Sequence, residues 1–175
     1  MKNQKLLVIA AIVCLLGGAS GAAMAEDNTC PDGTVEYQTV EGNLLVTRQD
    51  CLVQGATIKG NVIVDNLGNP NGIFVMKDTI VRGKVTVKGG EALIDKSTIV
   101  TLNLRVLETV DALVTHTLLL RGNMVFRDNG AVLIYKNVVT FGNIRCVDNL
   151  DPIKRPREYA TGNLVPFGKI TCFGQ

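Results

Sequence analysis

Apolar and polar positions alternate in short bursts along this chain, and between Thr79 and Cys146 the bursts recur about every 20 residues. Aligned on a glycine mark, Gly83-Lys84-Val85-Thr86-Val87, Gly122-Asn123-Met124-Val125-Phe126 and Gly142-Asn143-Ile144-Arg145-Cys146 follow one plan, and Leu102-Asn103-Leu104-Arg105-Val106 fills the slot between the first two. Gly42-Asn43-Leu44-Leu45-Val46 and Gly60-Asn61-Val62-Ile63-Val64 extend the series upstream. Two and four places after each mark the residues are apolar, while the place between them (Leu45, Ile63, Thr86, Arg105, Val125, Arg145) is mixed. Such period-two alternation marks a strand with one face buried. Counting back from the marks, Ile58, Val81, Val100 and Leu120 line up as a second apolar column, and Val75, Ile94, Val114 and Ile134 as a third. The pattern predicts three short strands per repeat.

A unit this short cannot bury its apolar face by itself, but stacked units can, so the period predicts an all-β, single-domain, three-sided parallel β-helix, a β-solenoid of about 20 residues per coil. The steps between marks are 18, 23, 19, 20 and 20 residues. The long step holds Asn66-Leu67-Gly68-Asn69-Pro70-Asn71-Gly72, turn chemistry that reads as an inserted loop. The asparagines after the mark, Asn43, Asn61, Asn103, Asn123 and Asn143, are expected to stack as a ladder at one corner, interrupted by Lys84. The lack of a strict six-residue period argues against a left-handed hexapeptide solenoid and favours a right-handed one. Open solenoid ends need covering. Residues 26–41 are expected to form an N-terminal cap, 42–150 the coils, and 151–175 a C-terminal loop and cap in which Gly162-Asn163-Leu164 and Gly168-Lys169-Ile170-Thr171-Cys172 resume the pattern.

The first 25 residues change the compartment. Lys2 and Lys5 precede an apolar run from Leu6 to Leu16 and small residues ending in Ala23-Met24-Ala25, the grammar of a signal peptide cleaved after Ala25. That run is too short and glycine-broken to span a membrane, and no later segment approaches a span. A secreted or periplasmic protein is expected. Without Lys2 and Lys5, basic and acidic residues are equal in number, so the mature chain has no overall field for nucleic acid or an anionic membrane, and such a partner would need a local patch. Four cysteines remain after cleavage. Two stand at the start of the array and two at its end, which points to Cys30 with Cys51 and Cys146 with Cys172 among three connectivities.

The Gly-Asn-hydrophobic marks from Gly42 to Cys146, together with Cys51 and Cys172, resemble small secreted bacterial β-solenoid proteins built on such repeats. The resemblance implies architecture and brings no established activity with it.

In a solenoid, residues one period apart become neighbours, so candidate chemistry lies down the columns. Lys77, Lys96, His116 and Lys136 stand six places before successive marks, a basic ribbon suited to an anionic polysaccharide or a phosphate-rich surface. Glu108, Asp128 and Asp148 stand six places after the marks. Stacked carboxylates repel, and must reach water, share a proton or bind a cation such as calcium, whose preferred ligands are carboxylate and carbonyl oxygens. Their spacing also resembles that of a retaining glycosidase pair, so the same three are the catalytic candidates. No phosphate loop, dinucleotide fingerprint or HExxH occurs. The expected function is non-enzymatic: a monomeric secreted or periplasmic rod with a structural or surface-binding role, its partner a polysaccharide or other cell-surface component. The alternative is a carbohydrate-active enzyme or carbohydrate-binding module.

Overall fold

The computed structural model describes residues 27–149 and 160–172. The expected leader, residues 1–25, and the expected loop at 151–159 lie outside the described residues. Three parallel sheets of eight, seven and six strands wind into a β-solenoid of about six turns, with about 20 residues per coil and almost no helix. The first face runs from Asp27–Thr29 to Ile170–Thr171, the second from Thr34–Glu36 to Ala160–Thr161, and the third from Thr39–Val40 to Val138–Phe141. Each strand between the ends of its sheet pairs with its counterparts one coil below and above, as Val85 does with Val62 and Leu104.

Register places the expected columns inside. Leu44, Val62, Val85, Leu104, Met124 and Ile144 are fully buried on the first face, and Val46, Val87, Val106 and Phe126 lie beside them. Two columns need correction. Val53, Met76, Ile94, Val114 and Ile134 form the inward row of the second face, and Val75 points outward beside Leu52 and Leu93. On the third face Leu119, not Leu120, continues Ile58, Val81 and Val100. The physical cause is that coils absorb single extra residues at different corners. One coil carries two left-handed residues, Lys96 and Ser97 (φ 50° and 58°), where its neighbours carry one. Later coils instead lengthen the third-face strand, which runs Leu118–Arg121 where earlier coils have two-residue strands. Counting from one landmark cannot say which corner took the extra residue.

The glycine mark is a contact requirement. A Cβ at Gly142, whose φ is 153°, would run into the carbonyl oxygen of Gly122 one coil below. The asparagine ladder beside it forms as expected: Asn43 Oδ1 accepts from the Asn61 backbone N–H at 2.9 Å and Asn123 Oδ1 from that of Asn143 at 3.0 Å. Lys84 interrupts it, and its own N–H still donates to Asn61 Oδ1. Two further ladders, not anticipated, run through the interior of the other corners. Asn129 donates its Nδ2 to Val106 O and to Asn149 Oδ1, and Asn137 does the same with Val114 O and Asn163 Oδ1. Both are buried, so these bonds satisfy polar groups that water cannot reach.

Both disulfides form as paired above, with Cα separations of 6.2 Å for Cys30–Cys51 and 4.6 Å for Cys146–Cys172. From Asp27 onward, the stretch expected as an N-terminal cap is itself a coil: Thr29, Val35 and Val40 pair with Leu45, Val53 and Ile58. At the other end, Leu164 bridges Val138 and Ile170 pairs with Ile144, so the pattern resumes there.

Candidate functional site

Most turns at the corners on either side of the second face carry a residue in the left-handed region, and the non-glycine residues there are exposed. Glu108, Asp128 and Asp148 occupy this position at the corner between the first and second faces (φ 56°, 56° and 52°), one above another and exposed. The structure therefore brings the three acids to one corner. Asp128 is engaged by its neighbour Arg127, Nε to Oδ2 at 3.2 Å. Among the described residues no group of three or more His, Cys, Asp or Glu side chains comes together in a metal-holding arrangement. Glu91 and Asp111, directly paired across coils on the adjoining strands, add to the same edge. Acids outnumber cations along this edge, which also carries Arg48, Lys88 and Arg127.

The expected basic ribbon is not continuous. Lys96, His116 and Lys136 hold left-handed positions at the corner between the second and third faces, but the fourth is Asp78 (φ 50°), because the coil of Lys77 lacks the extra residue that Ser97 supplies above it. Lys77 instead ends a second-face strand, opposite Asp95. His116 Nδ1 lies 3.3 Å from Asp95 Oδ1, and its ring meets Tyr135 edge-on at 5.9 Å. Lys136 Nζ sits 4.9 Å over that tyrosine ring. Burial would raise the Asp95 carboxyl, but hydrogen bonds from the Thr115 hydroxyl, the Lys96 backbone N–H and His116, with the attraction of His116, outweigh it and hold the group below its ordinary value. This corner is a mixed-charge network.

The cations gather elsewhere, at the edge between the third and first faces. Lys59, Arg82 and Arg121 each immediately precede a repeat glycine or its equivalent, and all are exposed. Lys84 and Lys169 take the place after the glycine, while Arg105 and Arg145 project outward from the neighbouring row of the first face. Coils rise about 4.8 Å each, so the row from Lys59 upward extends roughly 24 Å. Among the described residues the acids of this edge belong to its N-terminal end, where Asp27 accepts from Asn43 and Glu41 from Lys59, both within 2.9 Å. The C-terminal end of the same row is aromatic: Phe141 lies opposite Arg121 and stacks on Phe167, centroids 5.2 Å apart. These rings are 54% and 67% exposed, and Leu120, next to Arg121, is exposed too, while the exposed Leu164 pairs with Val138 at the other end of the third-face strand.

The signal for this edge was present in the chain. Glu41, Lys59, Arg82, Thr101, Arg121, Phe141 and Phe167 are a column read one place before each mark. The columns six places before and after the marks hold more lysines and acids and point to the other two corners.

The disulfides suit an oxidising compartment, as an extracellular or periplasmic protein would meet. Among the described residues no helix is long and apolar enough to cross a membrane. No protein-family model, curated protein or solved structure matches the chain.

Proposed function

We propose that this chain is a non-enzymatic, secreted or periplasmic rod that adheres through its cationic edge to an extended polyanionic surface of the cell envelope. The observation that carries the reading is the segregation of charge around the coil. Cations populate the edge between the third and first faces from Lys59 to Lys169, while Glu91, Glu108, Asp111, Asp128 and Asp148 populate the edge between the first and second. A chain with almost no net charge thereby acquires a transverse dipole, reduced by Arg48, Lys88 and Arg127 on the acidic edge, which turns one edge toward a negative surface and the other away from it. Regular coil spacing suits a surface whose charges are themselves repeated. The edge is convex, which favours adhesion over the enclosure that an enzyme cleft provides.

The test is retention of the full chain on acidic glycans and anionic vesicles against their neutral counterparts, in rising salt. Retention on anionic surfaces is expected at about 0.1 M salt and loss near 1 M, where the screening length falls from about 10 Å to about 3 Å. Arg105→Glu with Arg145→Glu is expected to weaken retention at least tenfold. Equal retention on neutral matrices would overturn the reading, and release of reducing or unsaturated sugar would replace it with the enzyme alternative.

A further inference from the structure

We propose that the C-terminal end of the cationic edge is a docking site for an anionic phospholipid surface, with Phe141 and Phe167 entering the boundary between headgroups and acyl chains. The proposal rests on the polyanion reading above and names the surface. Three large apolar side chains, Leu120, Phe141 and Phe167, are 40–67% exposed within the last coils of one edge. Exposed rings and aliphatic chains gathered at one place mark an interaction site more often than ordinary surface. The two phenylalanines hold each other in a near-parallel stack at 11°, so their outward pose costs little further ordering on binding.

The rim decides the partner. Arg121 lies in register beside Phe141, Lys169 follows Phe167 by two residues, and Arg145 projects from the adjoining row of the first face. Among the described residues no acid borders this end. Apolar side chains that project between cations match a surface with negative headgroups over hydrocarbon. A second copy of the chain, meeting through the same patch, would set one cationic rim against another. A glycan strand would gain the charges but leave much of the rings and Leu120 in water, because a convex edge cannot wrap a single strand. The apolar stripe Leu52, Val75, Leu93, Leu113 and Leu133 on the second face is not equivalent, since Glu91 and Asp111 flank it and an anionic surface would be repelled there.

The chain contains no tryptophan, so Phe167→Trp makes a single fluorescent reporter. The full chain carrying it is mixed with vesicles of equal parts phosphatidylglycerol and phosphatidylcholine, or of phosphatidylcholine by itself. A blue shift with quenching by lipids brominated in the acyl chain is expected with the anionic vesicles, and no change with the neutral ones. In a flotation assay, Phe141→Ser with Phe167→Ser is expected to lower the partition coefficient on the order of tenfold, with an unchanged melting temperature showing that the exposed substitutions spare the fold. An unshifted Trp emission, equal flotation of the serine variant, or retention on acidic glycans with none on anionic vesicles would overturn the lipid assignment. The last of these would leave the polyanion reading standing, whereas failure on every anionic surface would remove both.

Discussion

At the scale of single residues, the interior polar groups and one surface carboxylate are the most exacting features. Asn137 is fully buried, accepts from the Thr117 N–H at 2.9 Å and donates to Val114 O and Asn163 Oδ1. Asn137→Ala would strand a buried N–H and a buried carbonyl together, and is expected to cost about 3 kcal/mol in a denaturant titration; a loss under 1 kcal/mol would mean the ladder is not what joins these coils. Asp95 makes a pH-dependent contribution. Its folded pKa is below the unfolded one, so its stabilisation is present above the unfolded pKa, about 3.9, and is lost as pH falls through the folded value. The melting-temperature gap between the native chain and Asp95→Asn is therefore expected to be open at pH 5 and to close as pH falls below about 3.8. A gap independent of pH would show that Asp95 acts by shape and not by charge. The inward columns were legible residue by residue, since period-two alternation needs only the chain itself. Spacing does not separate Val75 from Met76 or Leu120 from Leu119, because each pair is adjacent and equally apolar, and the register puts Met76 and Leu119 inside.

Among elements, stability passes between nearest neighbours, as each strand hydrogen-bonds only with those of the coils directly below and above. Terminal coils have one neighbour, and each terminal region carries a disulfide: Cys30–Cys51 ties the first coil to the second, and Cys146–Cys172 ties the last described residues to the coil beneath. The second bridge spans 26 residues, for which chain entropy gives about 3 kcal/mol. Cys146→Ala with Cys172→Ala is expected to lose about that much, with hydrogen exchange rising first in the strands Ile144–Val147 and Ile170–Thr171. Uniform loss of protection along the solenoid would show that the coils unfold as one unit and that the bridge is not a local clamp. The existence and number of the strands followed from spacing. The place where each one-residue difference is absorbed did not, because a left-handed turn of one residue and one of two, as at Lys96 and Ser97, connect the same strands.

For the whole molecule, winding converts a nearly neutral sequence into a rod with opposite charge on two edges. Lys59, Arg82, Arg105, Arg121 and Arg145 are spread over nearly 90 residues of chain, yet they share one side of the coil. The sequence by itself determined the period, the three-strand coil, the cysteine pairing and the asparagine ladder after the glycines, because each depends on spacing that a repeat preserves. The stacking of Glu108, Asp128 and Asp148 follows from the same spacing. Only the tertiary structure decided that Asp78 displaces Lys77 from the basic corner, that Asn129 and Asn137 ladder through the interior, and that the column before the glycines gathers cations ending in Phe141 and Phe167. The physical reason is that charge and exposure at an edge are set by which residues become neighbours one coil apart. A single extra residue at one corner shifts that neighbourhood while leaving the hydrophobic period intact.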